Sequence, residues 1–92
     1  MIYFVKPSNR FQRDLKRLQK RGYDMRLLTE VIKTLANGEV LAPKYHDHIL
    51  SGELSNCHEC HITSDWLLVY EIDKGELYLY LTRTGTHSDL FK

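Results

Sequence analysis

Three histidines in the second half of the chain are the residues best suited to chemistry. His48, His61 and His87 stand in three separate segments of the 92 residues. Imidazole gives or takes a proton near neutral pH, so three such groups in one place would suit acid–base catalysis. Catalysis then depends on whether the fold brings the three segments together.

Charged residues stand close to these histidines. Alternation along a predicted strand at 57–63 puts Glu59 and His61 on one face, and Ile62 marks the opposite face as the core side. If neighbouring strands lie side by side, five residues converge and His48 joins them from the preceding loop: Glu59, His61, Asp65, Arg83 and His87. Such a set suits metal-free RNA cleavage, with a base for the 2′-OH, an acid for the leaving 5′-oxygen and a cation for the phosphate.

The C-H-E-C-H segment at 57–61 suggests a zinc site as an alternative. Cys57 and Cys60 have a spacing common at zinc, and a histidine from elsewhere could complete the set. In a strand, however, these two cysteines point to opposite faces. The sequence therefore favours packing roles for both cysteines, and packing or surface roles for His46 and His58.

Two amphipathic helices are predicted in the first half of the chain. Ser8 can cap a helix from about Asn9 to Arg21, and Asp24 can cap a second one from about Met25 to Asn37. The short link between them indicates an antiparallel helical hairpin. Apolar residues recur on one face of each helix: Phe11, Leu15, Leu18, Leu28, Val31, Ile32 and Leu35.

The other predicted elements are strands. They cover residues 2–6, 66–72 and 76–83 besides the strand at 57–63, while residues 39–54 have an irregular pattern. The order β-α-α-β-β-β predicts an α+β domain in which the helical hairpin packs on one face of a small antiparallel sheet. The other face would be partly open.

Arg83 conflicts with strict alternation in the last strand, because it shares a face with three leucines that resemble core. Either both faces of the sheet are covered, or a bulge turns the strand near its end. Tyr78 and Tyr80 take the other face, as packing residues or as a surface on which a base could stack.

Length and charge limit the possible functions. The chain is a single domain, residues 1–92, with neither a signal peptide nor an apolar run of about 20 residues, so a cytoplasmic location with reduced cysteines is expected. Residues 1–38 hold nine Lys and Arg against three Asp and Glu, and residues 39–92 hold four against nine. A basic first half favours a nucleic-acid partner.

Three stretches carry a resemblance to a known family: residues 47–52 (DHILSG), 59–70 (ECHITSDWLLVY) and 83–91 (RTGTHSDLF). The chain resembles, nearly end to end, the YafQ branch of the RelE/ParE superfamily of bacterial type II toxins. The resemblance implies a ribosome-dependent mRNA endonuclease, or mRNA interferase, that cuts the A-site codon without metal or cofactor. It also implies a cognate antitoxin, usually a DinJ- or RelB-like ribbon-helix-helix protein, that reaches operator DNA together with the toxin.

By position, the family's active-site residues are here His48, Glu59, His61, Asp65, Arg83, His87 and Phe91. Close relatives have Asp at the position of Glu59, so this chain keeps the charge on a longer arm. The implied base and acid are His48 and His87, in either order, while Arg83 would contact the phosphate and Phe91 a nucleobase. The remaining two would orient bases, phosphate or a histidine: His61 and Asp65.

The basic first helix would bind ribosomal RNA backbone or an acidic antitoxin. Six residues are the candidates: Arg10, Arg13, Lys16, Arg17, Lys20 and Arg21. Two other functions stay open. A ParE-like toxin would poison DNA gyrase with the same fold, and a non-catalytic module would bind RNA or the ribosome.

Overall fold

The computed structural model describes residues 2–50 and 57–91. The elements are β1 (Phe4–Pro7), α1 (Asn9–Lys20), α2 (Met25–Ala36), a 3-10 turn (Pro43–Tyr45), β2 (His48–Ile49), β3 (His58–Thr63), β4 (Trp66–Asp73), β5 (Tyr78–Gly85) and α3 (His87–Leu90). The five strands form one sheet in the order β1-β5-β4-β3-β2. The predicted α+β fold is confirmed. No helix within the two described ranges is long and apolar enough to cross a membrane.

Both long helices begin where their capping residues predict. The Ser8 hydroxyl accepts a hydrogen bond from the backbone N–H of Phe11, and the Asp24 carboxylate accepts one from the N–H of Arg26. These bonds satisfy N–H groups that have no partner inside a helix. Each helix ends one residue earlier than predicted.

One face of the sheet packs against the helices, as predicted. The core joins Phe11 and Leu18 of α1 and Val31 of α2 to buried residues of the strands: Cys60, Ile62, Trp66, Leu68, Tyr70, Leu79 and Leu81. Within the described ranges no helix lies along the centre of the opposite face, but β4 is buried there too, with Leu67 at 0% and Val69 at 2% exposure. The site residues on that face therefore lie above buried apolar side chains of β4.

Three details of the sheet differ from the prediction. β1 runs parallel to β5, because no tight turn joins these two strands and either direction is open to them. The predicted irregular segment contains β2, which pairs with β3; its residues 51–54 lie outside the described part. β5 begins two residues late, since the Asp73 carboxylate accepts hydrogen bonds from Gly75 and Glu76 and extends the turn.

A β-bulge in β5 resolves the conflict at Arg83. Leu81 pairs with Tyr70 and Arg83 with Val69, which leaves Thr82 as an extra residue. The extra residue reverses the alternation, so that Arg83 shares the face of Val69 rather than that of the core leucines. The Ser8 hydroxyl donates to the bulged Thr82 carbonyl at 2.9 Å.

A short helix follows β5 and is tied to α1. Gly85 (φ +156°) makes the turn, and a Cβ there would lie 2.9 Å from the Asp89 side chain. Thr86 and Asp89 form a reciprocal capping box at the start of α3. Arg21 donates two hydrogen bonds to the Asp89 carboxylate, at 2.9 and 3.2 Å. The predicted tail is therefore a fixed helix that carries His87.

The Arg21–Asp89 pair predicts a pH dependence of stability. Hydrogen bonds from Arg21, and then from Thr86, hold the pKa of Asp89 well below its usual range. A lowered folded-state pKa adds stability above the unfolded-state value of about 3.9, and that stability is lost as pH falls through the folded-state pKa. In urea unfolding, Asp89→Asn should therefore cost most near neutral pH, and its cost should shrink below about pH 4.

Ser88→Ala, an exposed neighbour on α3, serves as the control and should show no such trend. A cost of Asp89→Asn that stays constant from neutral to acidic pH would contradict the assigned role of the ion pair.

Candidate active site

The site stands on the sheet face opposite the helical hairpin. One row of paired residues crosses four strands from β2 to β5: His48, Glu59, Val69 and Arg83. Paired residues share a face, and neighbouring strands lie about 4.8 Å apart. The Arg83 backbone is therefore roughly 10 Å from that of Glu59, a distance that its own side chain and a bound phosphate could span.

His48 is held so that one ring nitrogen faces the site. Its Nδ1 lies 2.9 Å from the backbone carbonyl of His46. A carbonyl oxygen only accepts, so Nδ1 carries the hydrogen and Nε2 is left for chemistry. Nε2 lies 3.4 Å from the Glu59 carboxylate, which is only 6% exposed. The Tyr70 hydroxyl donates to Asp47 at 2.6 Å and so anchors the segment that carries His48.

His87 is oriented by a carboxylate. Its Nδ1 lies 2.9 Å from Asp65, which also accepts from the His87 backbone N–H at 3.4 Å. These hydrogen bonds lower the pKa of Asp65. The acceptor places the hydrogen on Nδ1, so Nε2 remains open. Asp65 comes from the turn between β3 and β4, which the sequence placed at the mouth of the central strand.

His61 lies at the centre of an imidazole cluster made of His46, His48, His61 and His87. Its ring centroid is 5.6 Å from that of His46, 6.5 Å from that of His48 and 5.8 Å from that of His87. Its Nε2 is 3.8 Å from Glu59. The structure thus gathers the three predicted histidines and adds His46, which sequence reasoning treated as a packing or surface residue.

His58 keeps the packing role expected of it, stacked at 5.1 Å on the ring of Tyr70. Strand alternation is a sequence signal that identifies His58, but not His46, as a packing residue, since His58 points to the core face of β3. The position of His46 depends on the 3-10 turn, which has no clear sequence pattern.

Asp14 is a second residue that the sequence did not reveal. This carboxylate in α1 is 3% exposed and accepts from Arg17 at 2.6 Å and from Arg83 at 2.7 and 3.1 Å. It also accepts from the Thr84 backbone N–H at 3.1 Å. The contact raises the pKa of Arg83. A single carboxylate in an otherwise basic helix was the available signal.

Phe91 and Arg83 border a second part of the site. They line a cleft of about 460 Å³ together with Arg10, Val69 and Leu90. Phe91 is 46% exposed, although large apolar side chains are usually buried. The first turn of the basic helix α1 therefore borders the site through Arg10.

The basic residues of α1 divide into two groups. Arg17 and Arg21 form ion pairs with Asp14 and Asp89 of the same domain. Four exposed cations have no carboxylate within ion-pair distance among the described residues: Arg10, Arg13, Lys16 and Lys20. The four form the surface that α1 can offer to a polyanion.

The cysteines lie outside the site chemistry. Cys57 and Cys60 are buried free thiols, and burial raises the pKa of Cys60 to about 12. Within the described residues, the one group with metal-binding geometry is Glu59, His61 and His87, whose donor atoms lie within 4.8 Å of one another. Two imidazoles and a carboxylate suit zinc, copper or nickel. A metal there would take up groups of the imidazole cluster, and the predicted zinc alternative at the cysteines gains no support.

Comparison with protein families gives one match over residues 3–92, to the bacterial toxin of type II toxin–antitoxin systems, YafQ. A similar protein is the mRNA interferase toxin YafQ of Escherichia coli K12. It is 34% identical over 88 residues, which span 95% of this chain and 94% of the relative.

Solved structures give the same result. A metal-bound toxin from Helicobacter pylori is 48% identical, with a TM-score of 0.91 over 99% of this chain and 100% of that one. A chain of the E. coli DinJ–YafQ complex is 33% identical, with a TM-score of 0.89 over 98% and 99% of the two chains. Both likenesses cover the whole fold, including the helix that carries His87.

The buried carboxylate generates a prediction for stability. Asp14→Asn keeps the shape of the side chain but removes the charge that faces Arg17 and Arg83. We expect a loss of roughly 1–3 kcal/mol in the free energy of unfolding, because the amide of Asn turns an N–H toward donors that the buried carboxylate accepts from. Urea unfolding at neutral pH measures it.

Asp24→Asn is the matched control, since its carboxylate pairs with Arg26 at the surface and Asn remains a good helix cap. Equal losses for the two variants would mean that burial of Asp14 contributes nothing beyond a surface pair.

Proposed function

The chain belongs to the YafQ family of bacterial toxins from type II toxin–antitoxin systems, and we propose that it cuts mRNA on the ribosome by histidine acid–base catalysis. The family's named members are mRNA interferases, so the reaction is cleavage of an RNA phosphodiester. The observation that carries the proposal is the imidazole cluster around Glu59, on the same sheet face as Arg83.

The proposed base is His48. Among the described residues its Nε2 makes no hydrogen bond, since 3.4 Å to Glu59 exceeds the usual N–H···O range of about 2.7–3.2 Å. Nε2 can therefore take the proton of the 2′-OH, and the buried Glu59 carboxylate then stabilises the imidazolium that forms. A carboxylate beside a histidine has this effect in hydrolases with a catalytic triad.

The proposed acid is His87. Asp65 accepts from Nδ1 and orients the ring, which in its protonated form can donate from Nε2 to the leaving 5′-oxygen. Attack of the 2′-oxygen on phosphorus forms a cyclic phosphate as the P–O5′ bond breaks, so the proton lost at the 2′-oxygen is balanced by the one gained at the 5′-oxygen. His61, whose ring neighbours both of these histidines, is proposed to contact the phosphate.

Arg83 is proposed to stabilise the phosphate charge. Asp14 engages its Nε and Nη2, which leaves Nη1 to donate to a phosphate oxygen. Phe91, exposed in the cleft beside it, is placed for stacking against a nucleobase. Base, acid and cation are all supplied by side chains, and this supports a mechanism in which no metal takes part.

The H. pylori relative is described as metal-bound. If Glu59, His61 and His87 of this chain hold a transition metal, that metal would withdraw the acid from the reaction. Metal binding at this place would then inhibit cleavage.

A partner antitoxin of the DinJ kind follows from the E. coli complex. We infer that it is a ribbon-helix-helix protein and that the pair, rather than the toxin alone, reaches operator DNA. The ribosome is the second proposed partner. The exposed cations of α1 support it, because their surface begins at Arg10 beside the cleft of Phe91 and Arg83.

The catalytic assignment predicts the effect of two substitutions. His87→Gln and His48→Ala should each lower the cleavage rate of a ribosome-bound mRNA by at least about 100-fold, the usual contribution of one acid or base. A transition-metal chelator that spares the ribosome's Mg²⁺ should not lower the wild-type rate. Primer extension on the cut mRNA measures both effects.

His58→Gln, a change of a packing histidine, is the control and should retain cleavage. Full cleavage by folded His87→Gln and His48→Ala would remove the mechanism. Loss of cleavage on chelation would remove its metal independence. Arrest of growth by DNA damage instead of halted translation would favour the gyrase-poisoning alternative.

The basic surface predicts a salt-dependent affinity. Reversing Arg13 and Lys16 together to Glu should weaken ribosome binding about tenfold or more at physiological salt. It should also flatten the dependence of affinity on salt, because fewer phosphate contacts release fewer counterions. Sedimentation with ribosomes over a salt series is the measurement.

Lys33→Glu is the matched control, an exposed cation on α2. An affinity of the double variant equal to that of wild type at every salt concentration would refute the role of α1. The same variants can be tested for binding to a DinJ-like antitoxin.

A further inference from the structure

A second cleft lies beside the imidazole cluster, on the side away from Phe91. It has a volume of about 350 Å³ and is formed by α2, the 3-10 turn and the end of β3. Sites for small ligands have volumes of about 300–1,000 Å³, so this cleft suits a group of the size of one nucleobase. Residues that matter for its chemistry line it: Leu27, Glu30, Lys44, Tyr45, His46 and His61.

His46 is held in the wall of this cleft by a costly backbone. Its φ of +48° is left-handed, a conformation that costs a non-glycine residue about 1–3 kcal/mol and that clusters at functional positions. The ring stands at 70° to that of His61, with the centroids 5.6 Å apart. His61 therefore belongs both to this cleft and to the site of cleavage.

The lining combines the groups that proteins use to hold an unstacked base. His46 offers an aromatic ring for stacking, while Tyr45, packed against the core, forms part of the wall. Glu30 offers a carboxylate that can accept a hydrogen bond from an exocyclic amino group. Lys44, whose Nζ lies 5.1 Å from the centroid of the Tyr45 ring, offers a cation for the adjoining phosphate.

We propose that this cleft binds the base of the nucleotide immediately 5′ to the cut and selects against uracil. The inference rests on the proposed function. His48, the base that takes the 2′-proton of that nucleotide, contacts the His46 carbonyl at 2.9 Å, while the acid His87 is joined to Phe91 by a backbone hydrogen bond of 2.8 Å. Adenine, cytosine and guanine carry an exocyclic amine that can donate to Glu30, whereas the one donor of uracil, its N3–H, is flanked by two carbonyl oxygens that a carboxylate repels.

Two variants test the cleft and leave the proposed base, acid and His61 in place. Glu30→Gln removes the charge at an exposed position of α2. His46→Asn removes the ring but tolerates the left-handed backbone, and it keeps the carbonyl that orients His48. Glu39→Gln, an exposed carboxylate outside the cleft, is the matched control. Circular dichroism melting checks that all three fold.

The measurement is the rate of cleavage at one mapped site, in ribosome-bound mRNAs that differ only in the nucleotide 5′ to the cut. Wild type and Glu39→Gln should cut after adenosine, cytidine or guanosine about tenfold faster than after uridine, the effect of one charged hydrogen bond. Glu30→Gln should reduce this ratio to near one, and His46→Asn should slow cutting after the preferred bases.

Equal rates for all four nucleotides in wild type would overturn the inference, as would an unchanged ratio and unchanged rates in both variants. Failure of the proposed function has a different signature. In that case the wild type would cut none of the mRNAs, or His87→Gln would cut them all at the wild-type rate.

Discussion

The position of Arg83 depends on one extra residue in β5 and one buried carboxylate in α1. Without the bulge at Thr82, alternation would point Arg83 into the core with the leucines before it. With the bulge, the guanidinium lies where Asp14 can accept from two of its nitrogens. A buried charge is stable only when it is paired and hydrogen-bonded, so Asp14 and Arg83 each require the other.

Fixed hydrogen-bond acceptors also orient the imidazole rings. The two histidines at the ends of the cluster each use Nδ1 for a local hydrogen bond, His48 to a carbonyl and His87 to Asp65. Both Nε2 atoms are thereby left for a substrate, with Glu59 between His48 and His61 as the compensating charge. Groups that are already oriented need little rearrangement during a reaction, which is the main source of electrostatic catalysis.

The sequence predicted the parts of the fold that depend on local chemistry. Caps at Ser8 and Asp24, the helical periods and the buried strand β4 follow from neighbouring residues, so they could be read directly. The direction of β1 could not, because the strand meets β5 across more than 70 residues of chain. The bulge stayed open as an alternative, since Thr82 by itself is an ordinary strand residue.

The site residues divide in the same way. His48, His61 and His87 are conspicuous by type, and the resemblance to the toxin family assigns them, whereas Asp14 and His46 owe their place to tertiary contacts alone. Asp14 contacts a partner 69 residues away, and His46 depends on a left-handed turn next to β2. Local patterns carry no information about either contact.

α1 connects the proposed binding surface to the site. Ser8 binds the bulge, Asp14 holds Arg83, and Arg21 fixes the helix that carries His87. The exposed cations lie on the same helix, so a polyanion bound there would reach the cleft that Arg10 shares with Arg83. In a domain of 92 residues one helix must contribute to the core, support the site residues and present a binding surface. Because α1 has all of these roles, only some of its basic side chains are exposed for a partner. Arg17 and Arg21 instead pair with Asp14 and Asp89, which support the site.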